Sequence, residues 1–111
     1  MKRTEREWLL DALGHIETLK RYVAGDNSDR ELVLDAAALR LSAAIDSVAR
    51  IPEKQRQAVM SDALWREIKG VRNHIAHGYG FADRAELYNV VIDDVTDFES
   101  CIRTMLEQAP E

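Results

Sequence analysis

"SDRELVLDAAALRLSAAIDSVARIPEK", residues 28–54, decides the fold. Ser28 and Glu31 form a capping-box pattern: a hydroxyl closes the helix start, and a carboxylate three residues on reaches back to it. The apolar residues that follow keep a helical period to about Arg50, where "IPEK" interrupts it. They do so on two faces. Leu34, Ala38, Leu41, Ile45 and Val48 make one stripe; Leu32, Ala36, Leu39 and Ala43 make another roughly opposite, at about 100° per residue. A helix apolar on both sides needs cover on both. In a chain of 111 residues with one modest core, a second copy of the chain is the expected cover for the outer stripe.

Three more helices flank this one. "TERE" opens the first, with Thr4 as cap and Glu7 reaching back. Trp8 or Leu9, Ala12 or Leu13, Ile16, Leu19 and Val23 then recur at helical spacing, and "GDNSD" ends the run with turn chemistry. A third helix begins near Ser61 or Asp62, carries Leu64, Ile68, Val71 and Ile75 on its core side, and ends near Gly78 and Gly80. Asp83 and Glu86 repeat the capping pattern, and Leu87, Val91, Val95, Phe98, Ile102 and Met105 mark the fourth helix. No strand alternation or hairpin signal competes. The expectation is an all-α, up-and-down four-helix bundle occupying residues 1–111 as a single domain.

Composition narrows the function classes. Hydrophobic residues at 46% with only five glycines and two prolines describe a chain that folds rather than one that stays disordered. No apolar run approaches the roughly 20 residues needed to span a bilayer. "MKRTEREWLL" has no apolar h-region, and the single cysteine, Cys101, cannot close an internal disulfide. These features point to a cytoplasmic protein without a membrane partner. The net charge of −5 argues against a nucleic-acid coat but not against a local site. From Asp83 to Glu111 acids outnumber bases eight to two, whereas Arg66, Lys69 and Arg72 face a single acid, Glu67, over residues 65–79. Positive charge gathers in that segment.

The same segment holds "VRNHIAHGYG", residues 71–80. Arginine is a permanent cation with a planar fork of donors matched to phosphate oxygens. Histidine takes and returns a proton near neutral pH. Together Arg72 and His77 suit metal-free cleavage of a phosphodiester. In RNA the substrate's own 2′-hydroxyl is the nucleophile, so the protein supplies only a proton acceptor and charge stabilisation at phosphorus. Tyr79 would hydrogen-bond a phosphate or stack on a base. On a continuous helix Arg72 and His77 lie about 140° apart. Two arrangements would bring them together: a helix broken before Gly78, or a site formed where two copies of this helix meet. Arg72 and Tyr79 share a face, and Asn73 and His77 are neighbours.

Each residue also has a plainer reading. His77 suits a helix end, where the C-terminal dipole favours a cation. Arg72 suits a solvated surface, and Asn73 the polar end of a helix. His74 and His77, three apart, could share a metal, but no Cys, Asp or Glu within five residues completes a ligand set and His15 is distant in sequence. No metal and no cofactor is expected.

"WREIKGVRNHIAHGYGFAD" resembles the signature of HEPN-domain proteins, in particular their HepT-like branch, which carries an Arg, four to six residues, a His, any residue and a Tyr, with a polar residue directly after the Arg. Arg72, Asn73, His77 and Tyr79 match position by position, and Trp65 upstream also fits. The resemblance is specific over residues 65–83; elsewhere it rests on helical pattern. It implies a HEPN-like fold and a homodimeric toxin ribonuclease that cuts RNA without a metal, with the motifs of both subunits lining one cleft. Arg72 and His77 would be catalytic, and Asn73 and Tyr79 would bind substrate. It further implies a minimal nucleotidyltransferase antitoxin that transfers AMP to Tyr79, placing a phosphate and a nucleoside beside Arg72. The branch often has a Gly-Glu pair late in the second helix, a few residues before a proline. Ile45 and Asp46 stand there, before Pro52, so the acid is one methylene shorter. Asp46 either supports the cleft by orienting Arg72 or His77, or is a surface acid. Two alternatives to the ribonuclease remain: a non-catalytic HEPN module binding nucleotide or RNA beside a nucleotidyltransferase, and a structural dimer whose motif only tightens the interface.

Overall fold

Short polar side chains cap three of the helices among the described residues, and a proline precedes a fourth. The computed structural model describes residues 2–25, 28–78, 89 and 94–110. Among them are five helices and no strand: α1 (Glu5–Ala24), α2 (Arg30–Val48), α3 (Glu53–Gln57), α4 (Asp62–Ala76) and α5 (Val95–Gln108). The regular structure of the described residues is all helical, as the periodicity predicts.

At α1 the capping box forms in full. The Glu7 amide donates to Thr4 Oγ1 at 3.1 Å and the Thr4 amide to Glu7 Oε1 at 3.2 Å. At α2 the expected Ser28–Glu31 box does not form. Asp29 is the cap, accepting from the Leu32 amide at 3.1 Å. A carboxylate is the better partner for the positive end of a helix dipole, and Glu31 then sits one position too early to reach back. The end of α2 also falls at Val48, short of Arg50. There the Arg50 and Ile51 amides turn to the carbonyls of Ser47 and Val48, in three-residue bonds that tighten the chain before Pro52.

The stretch after Pro52, which the sequence presents as a connection, forms the extra helix α3. It carries Arg56, only 5% exposed, across the ring of Trp65 on α4, with its guanidinium carbon 5.1 Å from the ring centre. α5 contains Val95, Phe98, Ile102 and Met105 of the predicted fourth helix, all buried. The expected start of that helix at Asp83 and Glu86, with Leu87 and Val91, lies outside the described residues, as does Tyr79.

α1 packs chiefly on α2 and also on α5, and α4 lies on α2. The core is built from the predicted stripes: Leu9, Ala12, Ile16 and Leu19 of α1 against Leu34, Ala38, Leu41, Ile45 and Val48 of α2. Polar bonds stitch the seams. Ser47 Oγ donates to Asp11 Oδ2 at 2.7 Å between α2 and α1. Between α1 and α5, Glu99 is buried and takes bonds from Lys20 at 2.9 Å and from Arg103. These bonds hold its carboxyl below the ordinary carboxylate range, the Lys20 hydrogen bond acting most.

The second apolar face of α2 has no cover within the described residues of the chain. Leu32 is 57% and Leu39 68% exposed, while Ala36 and Ala43 between them are half-buried. Leu32, Ala36, Leu39, Ala43 and Asp46 follow one another at spacings of three and four, so this outward stripe runs into Asp46.

Candidate functional site

α4 is the element that carries the motif. Ser61 caps it, accepting from the Leu64 amide at 3.1 Å. Leu64, Ile68, Val71 and Ile75, all half-buried, hold it against the core. That leaves Arg66, Lys69, Asn73, His74 and His77 exposed along its outer side. The helix stops as the sequence predicts: Gly78 takes a φ of +71°, a left-handed conformation that glycine adopts without a Cβ penalty.

Arg72 reaches from α4 across to the last turns of α2. Its Nε donates to Asp46 Oδ1 at 2.8 Å and its Nη2 to Asp46 Oδ2 at 3.3 Å. This is a two-bond fork, which fixes the plane of the guanidinium as well as its position. Asp46 therefore contacts Arg72. Its hydrogen bonds, then its charge, raise the Arg72 pKa above its already high ordinary value. The fork uses the Nε edge. The remaining guanidinium hydrogens, on Nη1 and the other side of Nη2, point away from Asp46.

His77 sits at the C-terminal cap of α4, with φ −91° and ψ 7°. Its backbone amide donates to the Asn73 carbonyl at 3.0 Å, and its ring Nδ1 lies 2.8 Å from the same oxygen. A carbonyl only accepts, so Nδ1 carries the proton in this bond and Nε2 is the nitrogen with a free lone pair when the ring is neutral. The ring is thus oriented by the backbone carbonyl of Asn73. α4 is regular to Ala76, and His77, its C-cap, has left helical dihedrals; on a continued helix Arg72 and His77 would stand about 140° apart. The helix thus ends before Gly78, as one of the two arrangements read from the sequence has it.

Of the other residues singled out, His74 is exposed on the last turn of α4. His15 lies in the α1–α2 seam, where Arg40 Nη1 donates to its Nδ1 at 3.2 Å and Asp11 Oδ2 lies 3.5 Å from its Nε2. Among the described residues no group of three or more metal-ligating side chains converges. None of their helices is long and apolar enough to cross a membrane. Sequence reasoning missed Arg56, whose burial depends on α3; the signal available was the proline followed by "EKQRQ", a run with no helix breaker.

A family model described as "Ribonuclease HepT-like" matches residues 9–105, which include most of α1, all of α2 to α4, most of α5 and the whole motif. No curated protein and no solved structure matches the chain. The chain belongs to the HepT-like ribonuclease family.

Proposed function

From this membership, we propose that the protein is the toxin ribonuclease of a two-gene toxin–antitoxin system, and that it cleaves RNA without a metal. The observation that carries the chemistry is the pairing of a fixed cation with an oriented base. Arg72 is pinned by Asp46 with part of its donor set still free, and His77 keeps Nε2 available while Nδ1 is bonded to Asn73. In the reaction, His77 Nε2 takes the proton from a ribose 2′-hydroxyl. The 2′-oxygen attacks the adjacent phosphorus, and the bond to the 5′-oxygen breaks. The free hydrogens of Arg72 hold the phosphate oxygens as charge builds on them. A protonated His77 returns the proton to the leaving oxygen. Asn73 and Tyr79 complete substrate binding.

The working unit is a homodimer of up-and-down four-helix bundles. Two features support this. Arg72 and His77 are five residues apart, about 140° around a continued helix, so two copies would oppose one chain's arginine to the other's histidine. The outward stripe of α2, with Leu32 and Leu39 exposed, offers a surface for a second copy and ends at Asp46, beside Arg72. Neutralisation is by a nucleotidyltransferase antitoxin that transfers AMP to Tyr79 of the motif.

The test is cleavage of single-stranded RNA by purified protein in excess chelator, with the parent beside Arg72→Ala. Products with 2′,3′-cyclic phosphate and 5′-hydroxyl ends, absent with the variant, are expected. A parent that binds RNA but leaves it intact would point to the non-catalytic binding module.

A further inference from the structure

A second basic feature adjoins the Arg72–Asp46 pair, and none of its residues is in the motif. The end of α2, α3 and the start of α4 enclose a groove of about 410 Å³, whose lining includes Ile51, Arg56, Trp65, Arg66 and Lys69. It is a built feature. Arg56 is 5% exposed; its Nη1 is buried with no hydrogen-bond partner, Asp62 Oδ1 lying 3.5 Å away in an ion pair. Trp65, 7% exposed, has Arg56 against its ring at 5.1 Å and Lys69 Nζ at 5.8 Å.

The charges do not cancel. Glu53 and Asp62 both pair with Arg56, at 3.3 and 3.5 Å. Arg66 and Lys69, exposed on the same wall, make no ion pair among the described residues. Two solvated cations therefore stand over a groove whose acids are already engaged by a buried arginine.

The groove is in line with the candidate site. Trp65, Lys69 and Arg72 occupy positions i, i+4 and i+7 of α4 and share a face, with Arg66 at its flank. The rise from Arg72 back to Arg66 is about 9 Å. On the opposite wall, Val48 and Ala49 follow Asp46 by two and three residues. A strand with one phosphate at the free edge of Arg72 passes Lys69 and Arg66 with its next phosphates.

We propose that this groove is a phosphate subsite for the RNA strand flanking the scissile bond, with Lys69 and Arg66 as its contacts. The proposal rests on the ribonuclease reading and names where that substrate's backbone runs. Trp65 is too buried to stack a base, so the subsite reads the backbone and not the sequence.

The probe is a fluorescein-labelled single-stranded oligoribonucleotide, 2′-O-methylated throughout so that it cannot be cleaved. Its anisotropy is titrated with the full chain, with Arg66→Ala/Lys69→Ala, and with Arg6→Ala/Arg21→Ala, which removes the same charge from α1. The groove variant should bind at least about 10-fold more weakly. Its slope of log affinity against log salt should be shallower by about 1.4, which is about 0.7 for each of two phosphates no longer neutralised. The α1 variant should stay within about 2-fold of the parent, and a dinucleoside monophosphate, too short to reach the groove, should be cleaved equally by parent and groove variant. A groove variant that retains its fold by circular dichroism and binds like the α1 variant would overturn the subsite and leave the ribonuclease reading intact. A parent that does not bind the oligonucleotide would overturn both.

Discussion

The guanidinium of Arg72 is gripped on its Nε edge by both carboxylate oxygens of Asp46, at 2.8 and 3.3 Å, across the gap between α4 and α2. The pair is partly open to solvent, with side chains 36% and 53% exposed. An exposed pair contributes little to folding. Its consequence is orientation, because the grip decides which hydrogens of Arg72 remain for a phosphate.

Asp46→Ala should therefore leave thermal unfolding almost unchanged and lower RNA cleavage by about 10- to 100-fold, the cost of a catalytic group held loosely. Asp46→Glu should recover a good part of that activity, since the longer acid still forks. Cleavage rates at saturating and limiting RNA check this. Full activity in Asp46→Ala would make Asp46 an ordinary surface acid.

The exposed leucines of α2 predict the oligomeric state. Leu39→Asp with Leu32→Asp should convert a dimer to a monomer in sedimentation velocity. Even Leu39→Ala should weaken the dimer about 10- to 100-fold, from the roughly 1.5–3 kcal/mol of burying one leucine. Cleavage should fall with the dimer, because the proposed cleft pairs Arg72 of one chain with His77 of the other. A parent that is monomeric and fully active would refute the shared cleft.

Glu99 gives a prediction in pH. Its folded pKa lies below its ordinary value of about 4.5, chiefly through the Lys20 hydrogen bond. Its stabilisation is thus complete above about pH 4.5 and is lost as the pH falls through the lowered folded value. Glu99→Gln should cost about 1–2 kcal/mol at neutral pH, allowing for the solvent exposure of Lys20. It should also flatten the loss of stability below about pH 4.5. Urea midpoints of both proteins across that range test this; parallel curves would mean that Glu99 does not titrate with folding.

Much of this was legible in the sequence because it depends on local rules. The Thr4–Glu7 box, the Ser61 cap and the stop at Gly78 follow from neighbouring residues alone. So does the core, since the buried stripes of α1, α2 and α5 are those their periodicity marks. Residues 65–83 carry the motif and the family signature, and the family match covers 9–105. Other features depend on what lies across the fold. Whether Asp46 met Arg72 or His77 depended on how α4 lies on α2. The choice of Asp29 over Ser28 depended on which acceptor reached the Leu32 amide. Arg56 became buried only because α3 folds over Trp65.

AMP transfer has a direct signature. Co-expressed with a nucleotidyltransferase from a neighbouring gene, the protein should gain mass in steps of one AMP unit, located at Tyr79, and lose its cleavage activity. Inhibition by the same partner with no gain in mass would show neutralisation by steric binding.

In the proposed reaction His77, oriented through Nδ1 by the Asn73 carbonyl, moves the proton in RNA cleavage. Cleavage of single-stranded RNA by His77→Ala bears on this step directly, with oligomeric state and thermal unfolding recorded alongside. The expected result is a folded protein with the parent's assembly and with cleavage reduced at least about 100-fold, the lower end of what a positioned acid–base contributes. A His77→Ala protein that cuts RNA at the parent's rate would contradict it.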